Sequence, residues 1–201
     1  MISYGRQNIS QHDIDEVVKV LQSDYLTQGP SVEKFEAKIC EYTGAKYCVA
    51  VSNGTAALHL AVKVLNIPAG SEGITTPNTF AASANCMLYN ELNPRFADID
   101  PKTFNIDPEE IAALIGKKTK LVIPVHFAGQ SADMQSISKI AKENDLFVIE
   151  DAAHAIGSQY TDGTYVGNCK YSDLTTFSFH PVKTITTGEG GGDYNQFQRT
   201  L

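Results

Sequence analysis

Apolar residues follow two rhythms along this chain: short continuous runs, and runs spaced three and four residues apart. The spaced pattern places side chains on one helical face. It predicts a helix over residues 10–22, where Ser10 can cap and Ile14, Val17, Val18 and Leu21 share a face. A polar break, Thr27-Gln28-Gly29-Pro30, precedes a second helix carrying Val32, Phe35 and Ile39 at helical spacing. Further helices are predicted over 52–60, from Pro77-Asn78-Thr79-Phe80 through Met87 and Leu88, over 111–115 up to Gly116, and over 134–141. The continuous runs at 47–51, 74–76, 95–98, 121–126, 146–149 and 174–179 predict short strands. Strands and helices therefore alternate, with no internal repeat or low-complexity segment, which predicts an α/β fold with a largely parallel sheet.

Composition narrows the class. A length of 201 residues suggests one domain or slightly more, and a 42% hydrophobic fraction is enough for a sizeable core. A formal net charge of −7 with no long basic run argues against nucleic acid as the main partner, though not against a local phosphate pocket. No stretch approaches the roughly 20 apolar residues of a membrane span, and Gln11 to Glu16 is too polar and acidic for a signal layout. Cys40, Cys48, Cys86 and Cys169 have no C-x-x-C spacing, which speaks against zinc and for reduced thiols in a cytoplasmic protein. Asp98 and Asp100 suggest a metal pair at first sight, but no histidine or third carboxylate joins them, so they read as turn and cap residues and no metal is expected.

Candidate chemistry gathers in two stretches. Val148-Ile149-Glu150-Asp151-Ala152-Ala153-His154 is an apolar run ending in two carboxylates, which a parallel strand delivers to its carboxyl end. Ser178-Phe179-His180-Pro181-Val182-Lys183 sets a hydroxyl, an imidazole and an amine within six residues, followed by the glycine-rich 186–192. A lysine on a turn near a strand-end aspartate suits pyridoxal phosphate chemistry: the amine forms a Schiff base and the carboxylate keeps the ring nitrogen protonated. Taken alone, Lys183 reads better as a solvated charge and Asp151 as a cap. The run Ser52-Asn53-Gly54-Thr55-Ala56-Ala57-Leu58 is a strand-to-helix turn able to bind an anion, and it matches neither the nucleoside triphosphate nor the NAD glycine motif. As a bare pattern it is equally an ordinary connection. Phe80 is by default a core aromatic, and His126, at a strand end, reads as a structural histidine rather than a catalytic one.

These segments, in this order, resemble the DegT/DnrJ-type sugar aminotransferases among the fold-type I pyridoxal phosphate enzymes. The motifs are Leu26-Thr27-Gln28-Gly29-Pro30, the 52–58 turn, Thr79-Phe80, Glu150-Asp151-Ala152-Ala153-His154 and the segment ending in Lys183, and the likeness runs from Tyr4 to Gly191. Tyr4-Gly5-Arg6-Gln7 and the 179–191 segment look most like a subgroup making the 4-amino sugar of the pseudaminic acid route. The resemblance implies a three-layer α/β/α large domain with a mostly parallel sheet. It implies Lys183 as cofactor anchor and proton carrier, and Asp151 on the ring nitrogen. Thr55 and Ala56 then hold the cofactor phosphate with help from Ser178, Phe80 lies over the ring, and His154 sits near the ring's phenolic oxygen. Tyr4, Thr27 and His180 become substrate contacts. Glutamate is the implied donor and a UDP-linked 4-keto-6-deoxy hexosamine the acceptor, in a homodimer with shared active sites.

Other readings remain open: a different nucleotide-sugar 3- or 4-aminotransferase, an amino-acid enzyme such as a desulfurase, or a non-enzymatic protein that binds the cofactor. The Asp151-to-Lys183 spacing and the Thr27-Gln28 loop speak against the second, and the presence of both Lys183 and Asp151 against the third. In the family an apolar strand follows the glycine run, then the rest of the large domain and a smaller carboxyl-terminal domain. Here Gly192-Asp193-Tyr194-Asn195 has no apolar run, as a fragment or a disturbed reading frame would give. The expectation is a sheet lacking its next strand, with an exposed edge and poor turnover.

Overall fold

A computed structural model describes residues 7–195. Helix α1 (Gln11–Leu21) opens with a capping box in which Ser10 and Asp13 bond each other's backbone N–H. Its apolar stripe is as expected, but none of its residues is buried in the described chain. Helix α2 (Pro30–Thr43) starts with proline, which needs no N–H partner there, and ends at Gly44 in the left-handed region. It leads into β1 (Tyr47–Val51), which Glu36 of α2 pins by accepting the Ala50 N–H at 2.8 Å. There follow α3 (Gly54–Val64), β2 (Glu72–Thr75), α4 (Ala82–Tyr89), β3 (Asn93–Phe96), α5 (Pro108–Leu114) and β4 (Thr119–Val122). A 3-10 turn (Phe127–Gly129), α6 (Met134–Glu143), β5 (Phe147–Asp151), β6 (Leu174–Ser178) and β7 (Gly191–Asn195) complete the order.

The seven strands form one sheet in the order β1-β7-β6-β5-β4-β2-β3. All pairings from β6 to β3 are parallel, and β7 alone runs antiparallel to both its neighbours. Successive strand residues alternate between two cores. Leu121, Ile123, Ile149 and Leu174 pack with Leu58, Ala61 and Met87 of α3 and α4. Val122, Val148 and Phe177 pack on the other face with Ile39, Ile111 and Ile137 of α2, α5 and α6. This is the three-layer α/β/α arrangement, with the sheet buried on both sides.

Some boundaries differ from expectation. Helix α4 starts at Ala82 rather than at Pro77, because residues 77–81 form the turn that crosses the strand ends. Strand β4 stops at Val122, and the run to His126 keeps contact with β5 through an isolated bridge between Val125 and Asp151. The expectation of a missing strand after Gly191 is overturned: β7 fills the slot between β1 and β6. Backbone pairing on both sides builds this strand without an apolar run. Its glycines are required by close approach, since a Cβ on Gly191 would lie 2.4 Å from the carbonyl of Asn53. Among the described residues no helix is long and apolar enough to cross a membrane, and all four cysteines are free. Asp98 and Asp100 accept the N–H groups of Ile99 and Lys102, as turn residues do.

Candidate active site

The carboxyl end of β5 separates two adjacent carboxylates by the pleat. Asp151 points to the α3/α4 side, is 4% exposed, and accepts from Ser83 Oγ of α4 at 2.6 Å and from the Ala153 N–H at 3.2 Å. On the edge facing the 121–126 run its N–H donates to Pro124 O at 2.9 Å and its carbonyl accepts the His126 N–H at 3.0 Å. Glu150 points the other way into a closed polar cluster. It accepts from His126 Nε2 at 2.8 Å, Tyr160 at 2.7 Å, Thr175 at 3.1 Å and Ser172. Burial pushes the Glu150 carboxyl up, but the bonds from His126, Ser172 and Tyr160 outweigh it and hold it below the ordinary range. His126 Nδ1 accepts the Ala132 N–H at 3.1 Å, so its other nitrogen carries the proton toward Glu150. His126 is thus bonded at both ring nitrogens as a structural histidine, although it also borders a small cavity shared with Asp151 and Lys183.

Strand β6 ends in the turn that carries Lys183. The turn is closed by Lys183 N–H to His180 O at 2.9 Å and Thr187 N–H to Phe179 O at 3.1 Å. The half-buried amine, Nζ, lies 2.7 Å from His154 Nε2. Burial pushes the Lys183 amine below its usual range against the opposing charge of Asp151. Burial, and then the Lys183 charge, do the same to the His154 imidazole.

The third wall is the start of α3. Asn53 caps it by accepting the Ala56 N–H at 2.9 Å, which leaves exposed Thr55 at the first turn beside Gly54. A Cβ on Gly54 would come within 3.0 Å of Ser178 Cβ, so any other residue would press β6 away from this end of the helix by a few tenths of an ångström. The helix dipole and free N–H groups of such an end favour an anion.

Thr55, Phe80, Asp151, Ser178, His180 and Lys183 line one cavity of about 440 Å³. A smaller one of about 140 Å³ shares Phe80, Asp151 and Lys183 and adds His154. Of the residues expected from the sequence, Ala56 and Thr27 line neither cavity, Ala56 because the cap takes its N–H and Thr27 because it lies in an exposed bend. Tyr4 lies outside the described residues. Two lining or supporting residues had escaped the sequence reading. Ser83 sits one helical turn past Thr79, whose hydroxyl is 2.7 Å from its own, a spacing visible in the sequence. Glu189 lines the larger cavity 3.6 Å from His180, and only its place in the glycine run marked it.

A flat aromatic aldehyde bearing a phosphate fits these walls. Phe80 offers a ring that is 77% exposed, the right state for a stacking partner, with the buried Asp151 carboxylate, the Lys183 amine and the α3 terminus around the same space. Among the described residues no cluster of three metal-ligating side chains exists.

Comparison with known proteins gives a consistent picture. The profile of the DegT/DnrJ/EryC1/StrS aminotransferase family matches residues 7–192. The spore coat polysaccharide biosynthesis protein SpsC of Bacillus subtilis is 44% identical over 94% of this chain and 48% of its own length. The UDP-4-amino-4,6-dideoxy-N-acetyl-beta-L-altrosamine transaminase of Campylobacter jejuni is 43% identical over 95% of this chain and 50% of its own. Spr1654 of Streptococcus pneumoniae, a proposed sugar aminotransferase, superposes in its PLP form with a TM-score of 0.92 at 31% identity, over 100% of this chain and 54% of that one. The chain spans about half the length of these relatives.

Proposed function

Because the chain belongs to the DegT/DnrJ/EryC1/StrS aminotransferase family, which uses pyridoxal phosphate, we propose that its protein transfers an amino group from an amino acid to a keto sugar linked to a nucleotide. The finer reading takes glutamate as donor and the 4-keto group of a UDP-linked 4-keto-6-deoxy hexosamine as acceptor, giving UDP-4-amino-4,6-dideoxy-N-acetyl-altrosamine. The reading rests on one observation: a half-buried lysine amine and a buried strand-end carboxylate face the same cavity beside a helix N-terminus. The reading places it in a cytoplasmic homodimer with shared sites.

When bound, the cofactor supplies an aldehyde that carries nitrogen and a ring that accepts an electron pair. Lys183 is the amine that holds it, and Nζ then moves the proton at the substrate carbon. Asp151 holds the ring nitrogen's proton, and Ser83 fixes the carboxylate for that task. The first turn of α3 at Thr55, with Ser178, receives the phosphate. Phe80 would offer its exposed ring as a stacking partner and help exclude water there. His180 and Glu189 form the rim through which the sugar enters.

The test is borohydride reduction after loading with pyridoxal phosphate, followed by peptide mapping. The expected product carries the cofactor on Lys183, and a label on any other lysine rejects the assignment. SpsC is as similar as the altrosamine transaminase, which supports a second reading with another nucleotide sugar. Product analysis over a panel of 3-keto and 4-keto nucleotide sugars separates the two.

A further inference from the structure

We propose that His154 is the base that takes the ammonium proton of Lys183 when this lysine becomes a nucleophile. The inference rests on the reading of Lys183 as cofactor anchor and adds a step that precedes any transamination.

The geometry carries it. Nζ of Lys183 and Nε2 of His154 are 2.7 Å apart, so one proton lies between them and both groups cannot be charged at once. Burial and the lysine's charge disfavour the imidazolium, so Nε2 is the lone pair that faces the amine. The charged or titratable groups around His154 are Lys183, Asp151, His126 across the small shared cavity and, across the neighbouring open pocket, Tyr42 of α2. The other two imidazoles near the cavities are committed elsewhere: His126 Nε2 bonds Glu150 at 2.8 Å, and His180 sits 3.6 Å from Glu189 at the rim. Among the described residues, His154 is therefore the one imidazole placed to deprotonate Lys183. Its turn is held in place, since Gly129 abuts the His154 carbonyl, which a Cβ there would approach to 2.9 Å.

An ammonium cannot attack an aldehyde. The N–H bond of Lys183 breaks toward Nε2, forming imidazolium and freeing the nitrogen lone pair. That pair forms the bond to the aldehyde carbon while the oxygen takes one proton from the same nitrogen. The imidazolium then returns its proton as the oxygen leaves as water. The balance is one ammonium and one aldehyde in, one protonated C=N bond and one water out, with His154 restored.

The test follows attachment to cofactor-free protein by rapid mixing with pyridoxal phosphate between pH 5 and 9, quenching with borohydride and measuring the Lys183 peptide by mass. Wild type is expected to attach with a rate that falls as pH drops through the imidazole range. His154→Gln is expected to reach the same end point about 100-fold more slowly at neutral pH, with a rate that follows the free-amine fraction of Lys183 across the whole range instead of levelling above an imidazole titration. In His154→Ala, added imidazole is expected to restore much of the rate, which a folding defect would not allow. An unchanged rate and pH profile in His154→Gln overturns the proposal. Trapping on a lysine other than Lys183 overturns it together with the anchor reading, whereas normal trapping at Lys183 with no effect of His154→Gln leaves the anchor reading standing alone.

Discussion

Glu150 and Asp151 are chain neighbours on one strand, yet the pleat gives them opposite fates. Glu150 is saturated with donors from four side chains, which makes it a structural ion held for stability. Asp151 has one side-chain donor, Ser83, and opens on a cavity. Two substitutions should separate the roles. Glu150→Ala removes the acceptor shared by His126 and Tyr160 and is expected to cost about 3–5 kcal/mol in urea unfolding. Asp151→Asn keeps the shape and the Ser83 contact, so unfolding should change by less than about 1 kcal/mol. Cofactor binding should survive, while the half-reaction with glutamate, followed by absorbance, slows at least 100-fold because an amide cannot keep the ring nitrogen protonated. Lys183 and Asp151 were legible in the sequence through the motifs that resemble a known family, since each taken alone has an ordinary reading, and the structure brings both to one cavity. The partition between the two carboxylates and the part of Ser83 were not, because they depend on which helix covers which face of the sheet.

Among the elements, β7 is the least expected. Gly191, Gly192, Asp193, Tyr194 and Asn195 carry no strand pattern, and only the backbone partners on both sides make them one. Most helices and the central strands were legible because their apolar spacing coincides with a burial face, whereas the stripe of α1 was legible although none of its residues is buried in the described chain. In β7 that spacing is absent, and Asp193 is buried with Oδ1 unpaired. Burial pushes its carboxyl well above the ordinary range. A raised folded-state value means that the stabilising contribution is fully present below about pH 4, the unfolded value, and is lost as pH rises through the raised one. Glu150, lowered by its donors, works in the opposite sense and loses its contribution as pH falls. The difference between wild type and Asp193→Val isolates the aspartate: the variant is expected to be more stable at pH 8 by about 2–4 kcal/mol, with the gap narrowing toward pH 4. Thermal melts across that range check it, and equal curves would remove Asp193 as a source of strain.

For the molecule as a whole, the site is assembled from distant parts of the chain: the start of α3, the turn before α4, the end of β5 and the turn after β6. Among the described residues, strand β1, which carries the α3 terminus, has β7 as its only strand neighbour. Its pairing partners, Tyr47 with Asn195 and Val51 with Gly191, stand at the two ends of the described order. During synthesis on a ribosome, β1 emerges early and stays without a strand partner until residues 191–195 have also cleared the exit tunnel. Lys183 is therefore made before the glycine that seats the phosphate turn against the sheet. Nascent chains arrested at increasing length should show β5 and β6 protected from hydrogen exchange first. Protection of β1 should appear only once β7 is outside, so the Lys183 turn exists in time before the α3 terminus is seated beside it.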